Sequence, residues 1–130
     1  MARPPSQHPT DGELEILNVL WDAGPSELGK ICAAIRRNRP VATTTVATML
    51  GVMLEKGFVK RTNGPRGYLW SARLSQGTAA KRVLRRLVDR LFEGSAQSLV
   101  VHLIESGELS EKDRQEIKRL LGEEPGPDAC

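Results

Sequence analysis

The chain has 130 residues, with 19 Lys and Arg against 16 Asp and Glu, which is room for one domain or two small ones and for only a modest core without a partner surface. Cys32, inside an apolar pattern, and Cys130, at the last position, make neither a disulfide framework nor a metal set, and no apolar run approaches the roughly 20 residues needed to span a bilayer. The totals therefore exclude a disulfide scaffold, a closed zinc module and a membrane-inserted protein, and leave a soluble cytoplasmic chain for which no cofactor is expected.

Residues 1–9 hold three of the eight prolines and no apolar periodicity, so they read as a disordered arm. Thr10 followed by Glu13 is a capping-box pattern, in which the hydroxyl accepts from a free backbone N–H and the carboxylate reaches back. A first helix follows to about Ala23. Its Leu14, Ile16, Leu17, Val19, Leu20 and Trp21 form a band too wide for a lone surface helix, which puts it at the centre of the core. Gly24-Pro25 ends it. Ser26 is placed to cap a second helix, with Leu28, Ile31, Cys32 and Ile35 on one face, that closes near Asn38 and is broken by Pro40.

The stretch from Thr43 to Gly57 predicts a third helix. Val46, Met49, Leu50, Met53 and Leu54 recur at helical spacing and face a core, and Gly57 is a C-terminal stop. The opposite face carries Thr44, Thr45, Ala47, Thr48, Gly51 and Val52, where a merely solvated face would carry Lys and Glu. Short side chains and hydroxyls let a helix come close to another surface such as a DNA groove. Helix capping by Thr43 or Thr44 is the competing use of those hydroxyls. Gly51 costs about 1 kcal/mol relative to alanine in a helix interior. Close backbone approach would explain it, and so would drift.

The period then changes. Phe58–Arg61 and Tyr68–Ser71 are short strands flanking a turn-rich loop, 62–67, with Arg66 at its tip. Lys60 and Arg61 point to opposite faces of their strand, so only one of them faces a ligand. Three helices followed by a two-stranded β-wing make a mainly α winged helix-turn-helix, with the 43–57 helix for the major groove and the 58–71 wing along the backbone. Charge agrees with this layout: residues 1–72 hold nine basic and six acidic residues, whereas residues 73–130 hold ten of each. Between Lys30 and Arg66 there are eight basic residues against Glu55 alone, the footprint of a nucleic-acid face. The expected DNA-binding residues are Thr43, Thr44, Thr45, Thr48, Lys56, Lys60, Arg61 and Arg66. Trp21 and Trp70 are expected in the core, and His8 and His102 lack partners at metal-ligand spacing.

After Leu74 the chain changes character. Ala80, Val83, Leu84, Leu87, Val88, Leu91 and Phe92 keep a helical stripe, and Gly94-Ser95 breaks it. A fifth helix shows Ala96, Leu99, Val100, Leu103 and Ile104 at the same spacing; a sixth, capped by Ser110 with Asp113, turns Ile117, Leu120 and Leu121 inward. Three short helices cannot easily bury these stripes alone. A second copy is the expected cover, through Val83, Leu84, Leu87, Leu91, Leu99, Val100, Leu103, Ile117 and Leu120. The expected domains are thus the arm 1–9, a winged-helix domain 10–74, a three-helix dimerisation domain 75–121 and a disordered tail 122–130.

Several segments in this order and spacing resemble the penicillinase-repressor family, regulators of β-lactamase and methicillin-resistance operons with copper-responsive relatives. They are PTDGELEILNVLWDAGP (9–25), TTVATML (44–50), EKGFVKR (55–61), RGYLW (66–70) and LFEGSAQSLVVHLIESGELS (91–110), so the resemblance covers roughly residues 9–121. It implies a homodimeric repressor on double-stranded DNA, at an inverted repeat with TACA/TGTA half-sites overlapping a promoter. It also implies derepression through a membrane sensor-protease pathway that cleaves the dimerisation domain, with His102–Leu103 as the corresponding bond. Cleaved relatives carry Asn-Phe there. The copper-responsive relatives carry paired cysteines near the C-terminus, which Cys130 alone does not replace. Where family members commonly place a basic residue this chain has Val52, so the flanks must supply more of the attraction to phosphate.

An enzyme does not fit. There is no Ser/His/Asp set, no phosphate-cradling glycine loop and no HExxH, and neither histidine adjoins a candidate nucleophile. The alternative from another class is a winged helix used only as a protein–protein interaction module, with the basic patch on an acidic partner. Preference for a palindrome over scrambled duplex separates the two.

Overall fold

The structure is a computed structural model that describes residues 7–122. The tail expected over 122–130, Cys130 included, lies outside these residues but for Gly122, as do the first six residues of the arm. In the described part of the arm, the Gln7 carbonyl accepts from Arg82 Nη1 at 3.2 Å and Pro9 is buried.

Helix α1 spans Asp11–Ala23, and its N-terminus closes as the pattern predicts: Glu13 N–H donates to Thr10 Oγ1 at 3.2 Å, and Thr10 N–H donates to Glu13 Oε1 at 2.9 Å. Helix α2 covers Leu28–Arg36 and α3 covers Thr43–Lys56, which ends on Gly57 in the left-handed region at φ 79°. The three helices put Ile16, Leu17, Leu20, Ile31, Cys32, Ile35, Val46, Leu50 and Met53 into one core, closed by Phe58 from the turn after α3 and by Val59 and Trp70 from the strands. Full burial of one such side chain contributes about 1.5–3 kcal/mol. Trp21 packs on the edge of this core and donates from Nε1 to the Leu74 carbonyl at 2.9 Å.

The sheet has three strands where the sequence predicts two. Ser26–Glu27 (β1) pairs antiparallel with Gly67–Ala72 (β3), which pairs in turn with Val59–Gly64 (β2), giving the order β1-β3-β2. Gly24-Pro25 delivers the chain extended, and two residues suffice to use the free edge of β3. Ser26 is therefore a strand residue and not a helix cap: its hydroxyl donates back to the Gly24 carbonyl at 2.8 Å. Strand β2 also runs further than predicted, through Thr62, Asn63 and Gly64, so the loop shrinks to Pro65-Arg66 between Gly64 and Gly67. Gly67 holds φ 124°, which a residue with a Cβ would resist.

Helix α4 runs from Gln76 to Leu91, α5 from Ala96 to Glu105 and α6 from Glu111 to Leu120. Two compact units divide the chain between Arg86 and Leu87, within α4. Leu74 and Ala79 are buried in the first core, so that unit extends past Leu74, the last residue of the predicted winged-helix domain, and into α4. In the second unit Ser95 caps α5 by accepting from Ser98 N–H at 3.1 Å, Ser110 and Asp113 form the predicted capping box of α6, and Phe92 meets His102 edge-on at 5.8 Å.

Candidate nucleic-acid interface

Burial of Val46, Leu50 and Met53 fixes how α3 is turned, and the residues a half-turn away are forced outward. Thr44, Thr45, Ala47, Thr48 and Val52 are all exposed, together with Glu55, which the sequence reading counted as charge and did not place. The N-cap of α3 is Ala42, with no side-chain cap, so neither Thr43 nor Thr44 fills that role. Thr43 is used differently: its Oγ1 accepts from Arg36 Nη2 at 2.7 Å while Arg36 Nε donates to the Val41 carbonyl at 3.0 Å. Arg36 thereby ties the α2–α3 loop to the start of α3.

Lys56, expected on DNA, belongs elsewhere. Its ammonium lies 2.8 Å from Glu13 Oε2 and 3.0 Å from Oε1, with side-chain exposures of 9% and 5% for the two partners, and it sits 5.5 Å from the Phe58 ring centroid. The helical position of Lys56 is next to the core stripe, and the carboxylate that caps α1 is already there to neutralise it. Arg39 is likewise engaged, donating to both oxygens of Glu15, and this pairing holds the Glu15 carboxyl below the ordinary carboxylate value. Arg36, Arg39 and Lys56, all among the eight cations between Lys30 and Arg66, are thus held by hydrogen bonds within the fold.

The cations of the wing face outward. Lys60, opposite Ser71, and Arg61, opposite Trp70, alternate across β2 and are both exposed. Arg61 lies over aromatic rings, its guanidinium carbon 4.0 Å from the Tyr68 centroid and 5.6 Å from that of Trp70. Arg66 stands at the hairpin tip with 84% of its side chain exposed, and its Nε is 3.9 Å from Glu27 Oε2. Between the wing, the first turn of α2 and the outer face of α3 runs a cleft of about 800 Å³ that brings Lys30, Arg61, Arg66 and Tyr68 together with Ala47 and Gly51. Lys30 and Tyr68 escaped the sequence reading as site residues. Lys30 was visible in the basic run, and the i, i+2 spacing of Tyr68 and Trp70 shows that they share one face of β3.

The apolar stripes expected to make a dimer are largely exposed among the described residues. Leu84, Leu87 and Leu91 of α4, Val100 of α5 and Ile117 and Leu120 of α6 are exposed, with Leu91 and Leu120 both at 69%; Val83, Leu99 and Leu103 are half-buried. The His102–Leu103 peptide lies inside α5, with the His102 carbonyl accepting from Ser106 N–H at 2.9 Å.

A family model described as the penicillinase repressor matches residues 9–123. The chain is 21% identical over 111 residues to the penicillinase repressor of Staphylococcus aureus, covering 85% of this chain and 88% of that one. It is 20% identical over 112 residues to the methicillin resistance regulatory protein MecI of Mammaliicoccus sciuri, covering 86% and 91%. Among solved structures, the transcriptional regulator Tm0710 of Thermotoga maritima superimposes with a TM-score of 0.48 at 20% identity, over 88% of this chain and 72% of that one.

Proposed function

The chain belongs to the penicillinase repressor family of transcriptional repressors, and from that premise we propose that it binds a palindromic operator as a homodimer, reading bases with α3 and holding phosphates with the wing. The observation that carries this reading is the outer face of α3, exposed and built from Thr44, Thr45, Thr48 and Val52 beside a wing whose Lys60, Arg61 and Arg66 face solvent. Threonine hydroxyls donate and accept to base edges, while the threonine methyls and Val52 suit the thymine C5-methyl group. With no cation on the outer face of α3, sequence-independent attraction comes from the wing, and selectivity from α3.

A second copy supplies the other half of the site. Leucines exposed at 69% on two helices of the second unit favour a homodimer, because soluble monomers rarely leave such stripes uncovered. Two-fold symmetry then sets half-sites about one helical turn, roughly 10 bp, apart. Derepression by cleavage at His102–Leu103 requires α5 to unwind locally first, since proteases take extended substrates and this peptide is helical.

Selection of bound duplexes from a random pool tests the reading. A palindrome enriched by several kcal/mol over scrambled duplex is the expected result; recovery without sequence preference would make the fold an interaction module for an acidic partner.

A further inference from the structure

We propose that the cleft between the wing and the first turn of α2 seats one sugar–phosphate strand of duplex DNA, with Lys30 and Arg61 as its phosphate-binding cations and Tyr68 as the residue that positions Arg61. This rests on the DNA-binding reading above and adds to it the path of one strand and two residues, Lys30 and Tyr68.

The occupant follows from what borders the cleft. Ala47 and Gly51 line it from the outer face of α3, and Arg66 and Gly67 line it from the hairpin tip. A duplex that offers its major groove to α3 and its neighbouring minor groove to the wing must pass, between the two, the backbone strand that separates those grooves. That strand carries one negative charge per nucleotide, and the cleft meets it with cations from both walls: Lys30 from α2 and Arg61 from β2. Gly51 has no heavy atom within 4 Å of where a Cβ would stand, so nothing inside the fold explains its missing side chain, and the space is open on the cleft side.

Arg61 is pre-organised for this task. An arginine on an exposed strand loses rotamer freedom when it binds, and stacking on Tyr68 at 4.0 Å with Trp70 behind it removes part of that freedom beforehand. Tyr68 is 45% exposed, and its ring meets that of the core residue Trp70 edge-on at 5.9 Å. The cleft also holds an anion. Glu27 Oε2 is buried without a hydrogen-bond donor and faces Arg66 Nε at 3.9 Å, which offsets part of the cleft's attraction for phosphate.

The test uses the full chain on random-sequence duplex across a salt series. Lys30→Gln and Arg61→Gln should each weaken binding about tenfold at low salt and shallow the salt slope by about one per protomer, or two per bound dimer. Glu27→Gln should tighten binding, a gain that misfolding cannot produce. Tyr68→Leu should weaken binding and Tyr68→Phe should restore it, while Tyr68→Leu added to Arg61→Gln should cost nothing further. An unchanged slope for Lys30→Gln overturns the cleft as the strand's seat, and additive losses for Tyr68 and Arg61 overturn the positioning role. The ratio of operator to random affinity reports separately. A ratio near one with altered slopes removes the operator reading and keeps the cleft; a large ratio with unaltered slopes does the reverse.

Discussion

At the scale of single residues, charge in the sequence and charge available to a ligand are different quantities. Lys56 stands between Lys60 and the recognition face in sequence, yet its ammonium is claimed by Glu13, whose other duty is to cap α1. Glu13→Ala should therefore cost about 3–5 kcal/mol, because it strands a buried ammonium as well as uncapping a helix, and a chemical denaturation midpoint reads the loss. Arg66 has no such claim beyond a loose approach to Glu27. Arg66→Ala should weaken binding to every duplex alike and shallow the salt slope by about one per protomer, measured by fluorescence anisotropy. On the proposed base-reading role of the α3 face, Thr48→Ala should instead lose about 1 kcal/mol on the operator with little change on random DNA.

At the scale of elements, local signals were decisive where a pattern had one physical solution. The capping boxes at Thr10 and Ser110 and the stop at Gly57 formed as predicted because each closes within four residues. Ser26 had two solutions, cap or strand, and the free edge of β3 decided it. The same holds for the N-terminus of α3, where Ala42 occupies the N-cap and Thr43 is drawn to Arg36. Gly51 lies mid-helix in open space with an ordinary backbone, so Gly51→Ala should stabilise the fold by about 0.5–1 kcal/mol in thermal melts. If the helix backbone approaches DNA closely, that gain comes with weaker duplex binding; unchanged binding would assign the glycine to drift.

At the scale of the whole molecule, the second unit carries apolar side chains that are exposed among the described residues. Leu91 is 69% exposed among the described residues, so Leu91→Asp disturbs little internal packing and should act chiefly on a partner's surface. Sedimentation should show the dimer fraction fall, and operator affinity should fall with it, since each half-site then binds alone. A dimer that survives this change would put the seam on other residues.

The sequence by itself determined the winged-helix order, the inward and outward faces of α3, the basic character of the first half and the unburied stripes of the second, because periodicity and composition are local properties of the chain. Only the tertiary structure decided which cations are held within the fold, that the sheet has a third strand, and that Arg61, lying over Tyr68, shares one cleft with Lys30. The pairings of Lys56 with Glu13, of Arg39 with Glu15 and of β1 with β3 join residues more than twenty positions apart, and pairing at that distance is set by packing, which no local pattern encodes.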